Sequence, residues 1–176
     1  MKTILEGWRR FLNEQQEIFG VQISSDQRVF ISNEPFKSFY NVQQYTAHSV
    51  KKPDGLWYSC GDSWVSWIQG EMPGALKSAN YLYEIKLGSD VLKISADEDF
   101  DNFQHEYSIP PSYGVDVSID WLRVSKSYSG IEICPLNWEK RDEMFWYYAW
   151  DVASGCIWNS SGISRITLLA EREDKI

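Results

Sequence analysis

Residues 45–68 read YTAHSVKKPDGLWYSCGDSWVSWI, and this stretch decides how the chain is interpreted. Gln44 to Ser49 alternates like the edge of a sheet, Pro53-Asp54-Gly55 carries turn chemistry, and Leu56 to Tyr58 restarts an apolar strand. Two strand ends are therefore predicted to meet, presenting His48, Ser49, Tyr58 and Ser59 side by side. The segment that follows, Asp62 to Gln69, fits a helix capped by Asp62 with Trp64, Trp67 and Ile68 on one side.

The pattern on either side is α+β. Val21 to Ser24 and Arg28 to Ser32 look like short strands, and Glu34 to Val42 suits a helix that opens at Pro35. Tyr81 to Leu87, YLYEIKL, alternates cleanly and is expected to turn through Gly88-Ser89-Asp90 into a second strand, Val91 to Ile94. Ser118 to Ser125 suits a short helix. Ile131 to Cys134, Met144 to Val152, Cys156 to Trp158 and Ile163 to Leu169 make a strand-rich C-terminal half. The run Asp97-Glu98-Asp99-Phe100-Asp101 begins like a calcium loop, but the sixth position is Asn102 and the twelfth Ser108, so carboxylates near a helix start explain it better.

Composition narrows the function. The 176 residues match one domain with a sizeable core, with residues 15–176 as that domain. The formal net charge of −8 repels a phosphate backbone at long range, and Arg9-Arg10 and Lys51-Lys52 are too small to reverse the field, so nucleic acid is not the expected partner. Nine Trp, ten Tyr and eight Phe supply either a large aromatic core or stacking faces for flat rings. Cys60, Cys134 and Cys156 are odd in number and form no C-x-x-C pair, which argues against a disulfide framework and a zinc knuckle and for a reducing compartment. His105 has no metal-ligand spacing to another His or Cys. No apolar run is long enough to span a membrane. Walker, dinucleotide-binding glycine, nucleophile-elbow and H-E-x-x-H motifs are all missing, and the proximity of Cys60 to His48 leaves a Cys-His pair open.

Residues 1–14, MKTILEGWRRFLNE, place Ile4, Leu5, Trp8, Phe11 and Leu12 at helical spacing. This amphipathic segment resembles the capsid-targeting peptides of tailed phages, and Leu12-Asn13-Glu14 fits the Leu/Ile-x-Glu form cut by a prohead protease. That resemblance implies a protein packed inside the capsid and delivered to the host cytoplasm, with the protease as a partner. An ordinary N-terminal helix docked on the core is the other reading.

From Tyr45 to Trp158 the order of elements resembles ADP-ribosyltransferases: His48-Ser49 near a strand end, Gly55-Leu56-Trp57-Tyr58-Ser59 on the next strand, the Tyr81 strand, Tyr128-Ser129-Gly130-Ile131-Glu132, and a late acidic residue. The resemblance implies split mixed or antiparallel β-sheets with flanking helices, clamping NAD as substrate with no metal. It places His48 on the adenosine ribose, Ser49 on the nicotinamide side, Trp57 or Tyr58 against the ring, and Ser59 and Tyr81 in the same pocket. The implied reaction cleaves the nicotinamide glycosidic bond through an oxocarbenium-like ribose, which a preorganised carboxylate stabilises, and passes ADP-ribose to a host macromolecule, expected to be a protein. Two carboxylates compete for that role, Glu132 in Gly130-Ile131-Glu132-Ile133 and Asp151 in Trp150-Asp151-Val152. The chain has His48-Ser49 where many members have His-Gly-Thr/Ser, and it has no E-x-E acceptor motif. The rival class is a non-enzymatic interaction protein in which Trp64, Trp67, Trp138, Trp146, Trp150 and Trp158 include interface anchors; a third is a carbohydrate-binding module using the same rings.

Overall fold

The computed structural model describes residues 17–47, 51–72, 74–110 and 117–172. The N-terminal amphipathic segment and both His48 and Ser49 lie outside them. The elements in chain order are β1 (Glu17–Ile18), β2 (Val21–Gln22), β3 (Arg28–Ser32), β4 (Leu56–Cys60), α1 (Ser63–Glu71), β5 (Tyr81–Leu87), β6 (Val91–Ile94), α2 (Asp97–Tyr107), β7 (Ser108–Ile109), β8 (Ser118–Ile119), α3 (Trp121–Val124), β9 (Gly130–Ile133), α4 (Trp138–Glu143), β10 (Ser154–Ile157) and β11 (Ile163–Glu171). The α+β class expected from the sequence is the class observed.

Seven strands form one mixed sheet in the order β11-β5-β3-β4-β10-β9-β6, with β1-β2 and β7-β8 as separate two-stranded ribbons. All neighbours are antiparallel except β6 and β9, which run parallel. The expected division into two sheets is therefore reduced to a narrowing. β3 meets β4 only through Arg28↔Cys60 and Val29↔Ser59, whereas it pairs with β5 from Val29 to Ser32. Continuity is kept because β10 pairs with β4 along Leu56 to Ser59 on its other side.

β5 and β6 form where the alternation places them, but they do not make a hairpin. In the sheet they stand five strand spacings apart, about 24 Å if the sheet were flat. The chain from Leu87 to Val91 can span at most about 14 Å. The sheet must curl until its far parts approach one another, and the backbone pairing of Gly88 N–H with Gly162 O and Ser129 N–H with Asp90 O holds the connector there.

Three further expectations give way to packing. Residues 34–42 are irregular and form no helix. Phe36 and Phe39 pack on the Phe30, Tyr83 and Ile157 face of the sheet, Phe36 N–H donates to Tyr83 Oη at 2.9 Å, and Val42 N–H donates to Trp158 O at 2.8 Å. A nine-residue helix would reach only about 14 Å, too short to cross that face, and an extended chain reaches about twice as far. Residues 44–47 add no strand; instead the buried Gln44 side chain donates to Asp54 O at 2.7 Å and accepts from Asp54 N–H at 3.1 Å. One amide thus does the pairing that the expected strand would have done. Met144 to Val152 folds as successive turns, with Tyr147 and Tyr148 N–H groups both returning to Met144 O. Its adjacent Trp146 and Tyr147 are both fully buried, which a one-sided strand cannot arrange.

Eight aromatic residues form one core. Phe100, Phe103, Tyr107, Trp121, Trp146, Tyr147, Trp150 and Trp158 gather with Ile94, Ile131 and Ile133 beneath one face of the sheet. Trp146, Trp150 and Trp158 are therefore not surface anchors. α2 contributes Phe100, Phe103 and Tyr107 at helical spacing, and its start is tied by Asp99, whose Oδ2 accepts from Ala96 N–H at 2.8 Å and Ser95 N–H at 3.0 Å. Those backbone donors hold the Asp99 carboxyl below its ordinary value. Asp99→Ala is therefore expected to be less stable than the parent above about pH 4, the ordinary carboxyl range, with the difference fading as pH falls through the lowered native value. Thermal melts of both proteins across that range read the convergence. The short α3 is capped by Asp120, which accepts from Arg123 N–H at 3.0 Å. Asp62 precedes α1 as expected, yet its carboxylate caps no backbone N–H.

Candidate functional site

Rows of directly opposed residues share a face of a sheet, and this sorts the candidate residues. In the centre of the sheet Tyr58, Gly155 and Glu132 make one row, whereas Trp57, Cys156 and Ile131 make the next and point the other way. Glu132 and Trp57 therefore lie on opposite faces. The structure separates what the sequence grouped.

On the Glu132 face, the glycine in the middle of the row leaves space over which the Tyr58 phenol extends. A Cβ at Gly155 would stand 2.2 Å from Tyr58 Oη. Tyr58 donates to Glu132 Oε2 at 3.1 Å, and Arg28 grips the same carboxylate with Nε to Oε2 at 2.7 Å and Nη2 to Oε1 at 2.8 Å. Glu132 is 3% exposed, and this two-point pairing explains how a carboxylate persists there. The pairing raises the Arg28 pKa, while burial first, and then the neighbouring Glu132 charge, pushes the Tyr58 phenol well above its usual range. Both oxygens of Glu132 are engaged in a structural ion pair.

Beside this cluster Cys60 and Cys134 are joined by a disulfide, with their Cα atoms 6.5 Å apart. The pair overturns the expectation of unpaired cysteines, and in this structure Cys60 carries no free thiol to act as a nucleophile. Seventy-four residues separate them in sequence. They meet because β4 and β9 flank the start of β10, an arrangement that no local spacing reveals. Cys156 is free and buried, and burial pushes its thiol well up.

On the opposite face a cleft of about 230 Å³ is lined by Lys52, Trp57, Trp64, Trp67, Asp151 and Ser154, among others. Trp64 and Trp67, three apart on α1, project the same way, and Trp57 faces them from β4. All three rings are half-buried. Trp57 is fixed from behind by an edge contact with buried Trp150, ring centroids 4.9 Å apart. α1 itself is anchored to the rim, since Ser63 Oγ donates to Ala153 O at 2.7 Å and Cys60 N–H donates to the same oxygen at 3.0 Å.

Asp151 reaches this rim from the irregular stretch before β10 rather than from the end of the strand expected over Met144 to Val152. Arg141 Nη2 stands 3.3 Å from Asp151 Oδ1 and Lys52 Nζ 3.9 Å from Oδ2. Lys52 also lies over the Trp57 ring at 5.3 Å. Desolvation lowers the Lys52 pKa, and the Asp151 charge partly offsets it. Two cations against one carboxylate make the rim locally positive in a chain of net charge −8. Arg141 is held by its Nε–H to Trp150 O at 2.7 Å and sits between Trp138 and Tyr148, 5.4 and 4.7 Å from their ring centres.

Of the predicted ring-binding group, Trp57 lines the cleft. Tyr58 contributes to its wall but turns its phenol to Glu132. Ser59 is buried with its hydroxyl donating to Gly61 O at 2.9 Å. Tyr81 stands outside the cleft, opposite Glu171 on the β5-β11 pair, stacked on Tyr83. Lys52 and Arg141 were not singled out for the site. The Lys51-Lys52 pair and the Trp-x-x-Trp spacing of α1 were the signals available. Comparison with family models, with curated proteins and with solved structures finds no match for this chain.

Proposed function

We propose that the cleft between α1 and β4 binds a planar ring that carries a neighbouring anionic group, that the ligand is NAD, and that the protein transfers ADP-ribose from it to a host protein. The observation that carries this reading is the placement of Asp151 at the rim of three half-buried indoles. Each ring offers a face for stacking, worth about 1–3 kcal/mol per base. Lys52 and Arg141 offer charge to a phosphate. The cleft is smaller than the roughly 300–1,000 Å³ of sites that enclose a whole drug-sized ligand, so it suits the ring-bearing end of a dinucleotide.

In this reaction the bond from ribose C1′ to nicotinamide breaks, nicotinamide leaves with the bonding electrons, and an acceptor atom bonds to C1′ as it loses its proton. Positive charge spreads over C1′ and the ring oxygen in the transition state, which is where a carboxylate helps. Asp151 is the candidate, because Glu132 has both oxygens committed on the other face. A ligand phosphate taken by Lys52 and Arg141 would draw both cations off Asp151 and leave its charge for the ribose. Capsid packaging and delivery to the host remain the reading of residues 1–14.

The test is incorporation of labelled ADP-ribose from NAD into bacterial lysate. Asp151→Asn is expected to reduce it by about a hundredfold or more, in line with loss of one preorganised charge-stabilising group. Trp64→Ala is expected to weaken NAD binding about tenfold, read by titration calorimetry. No incorporation, together with no NAD-induced rise in Tm, would favour the interaction-protein reading. That reading draws on the exposed rings of Trp138 and Tyr148, 62% and 55% accessible, stacked about Arg141.

A further inference from the structure

The buried ion pair and the disulfide are one cluster. Cys60 lies directly opposite Arg28 across the β3-β4 seam, and Cys134 follows Glu132 by two residues, just past the end of β9 on the far side of β10. The two sulfurs and a Glu132 oxygen all fall within 4.8 Å of one another. Neither cysteine is fully buried, whereas Cys156 is. The sulfurs thus share their surroundings with a buried carboxylate that is itself held by the Arg28 guanidinium.

We propose that Cys60 and Cys134 form a reversible dithiol–disulfide site that exchanges with thiol reductants, and that Arg28 and Glu132 set the ionisation of its reduced sulfurs. The exchange balances as two electrons and two protons. A thiolate of a dithiol reductant attacks one sulfur, the S–S bond breaks, and the other cysteine leaves as a thiolate that takes a proton from water. The second thiol of the reductant, on losing its proton, attacks the mixed disulfide. The reductant closes to its own disulfide, and the first cysteine is released and protonated. Arg28 favours the departing thiolate and Glu132 opposes it, so the pair acts as two counterweights on one equilibrium. They are positioning residues for this chemistry.

Two measurements test the proposal. The protein is equilibrated in mixtures of reduced and oxidised dithiothreitol, quenched with acid, alkylated and weighed, while near-ultraviolet circular dichroism follows the fold. The expected result is a single two-electron transition that adds two labels, at Cys60 and Cys134, with the tertiary signal retained. Alkylation of Cys60 or Cys134 at the fully oxidised end, beyond the label that free Cys156 can take in every sample, or loss of tertiary signal on reduction, would overturn it, the second by showing a staple only. The pH dependence of iodoacetamide labelling of the reduced protein then separates electrostatics from structure. Arg28→Met is expected to move the profile up by about one pH unit or more and Glu132→Gln to move it down by a similar amount. Arg28→Lys keeps the charge and is expected to stay near the parent. Shifts in the same direction, or none, would remove the assigned roles. A variant without tertiary signal is replaced by the parent titration, which decides the reversible site alone.

Discussion

Glu132→Ala is expected to lower the free energy of unfolding by about 3 kcal/mol, the low end for breaking a buried ion pair, because the Arg28 side chain left behind is 22% accessible. The guanidinium of Arg28 would keep its desolvation and lose two charge-assisted hydrogen bonds, and Tyr58 would lose its acceptor. Urea denaturation followed by fluorescence gives the value. Arg28→Met alone strands the carboxylate instead and is expected to cost a comparable amount. The double variant Arg28→Met/Glu132→Leu removes both charges and is expected to be more stable than either single change, because an apolar pair of similar volume needs no compensation there. A cost below about 1 kcal/mol for Glu132→Ala, with ADP-ribose transfer abolished, would instead return Glu132 to the catalytic role that the sequence allowed.

Gly155→Ala is the second large effect. The added methyl would stand 2.2 Å from Tyr58 Oη, 2.3 Å from Tyr58 Cζ and 2.8 Å from the Ile131 carbonyl oxygen. Backbone bounds it on one side and a fully buried ring on the other, so nothing can move aside cheaply. Overpacking of this kind costs about 1–3 kcal/mol, and displacing the phenol from Glu132 adds the loss of a hydrogen bond to a charge, about 1.5–3 kcal/mol. The same denaturation measurement reads it. Gly155→Ala/Tyr58→Ala tests the origin: the double change is expected to tolerate the methyl better than the parent does, since the ring that collides with it is gone.

The strands were legible because their periodicity is local. YLYEIKL alternates over β5, and Phe100, Phe103 and Tyr107 fall three and four apart along α2, so each pattern declares its own element. Which strand lies beside which is a different kind of information. The three-residue connector after Leu87 looks like a hairpin turn, yet β6 finds its partner in β9 and β5 finds its partners in β3 and β11. The site divided in the same way. Trp57 stands on the strand its alternation declares, Asp151 follows turns where a strand is expected, and the two share a cleft. Arg28 could not be read as the partner of Glu132 across 104 residues, nor Cys60 as the partner of Cys134, since only the stacking of β3, β4, β10 and β9 brings them together. The aromatic run from Phe145 to Trp150 shows the limit most directly. Its residues have the composition of a strand, and it is the demand to bury neighbours on both sides that folds them as turns.

The position of β10 also governs when this sheet can exist. It fills the slot between β4 and β9, both of which precede it in the chain, and β11 completes the pairing of β5 only afterwards. On a ribosome, the apolar strands through β9 emerge with their central partner still unsynthesised. The seven-stranded sheet can thus close only once β10 has been translated, and the nascent chain carries open strand edges until then, the state that chaperones recognise and that aggregation competes for.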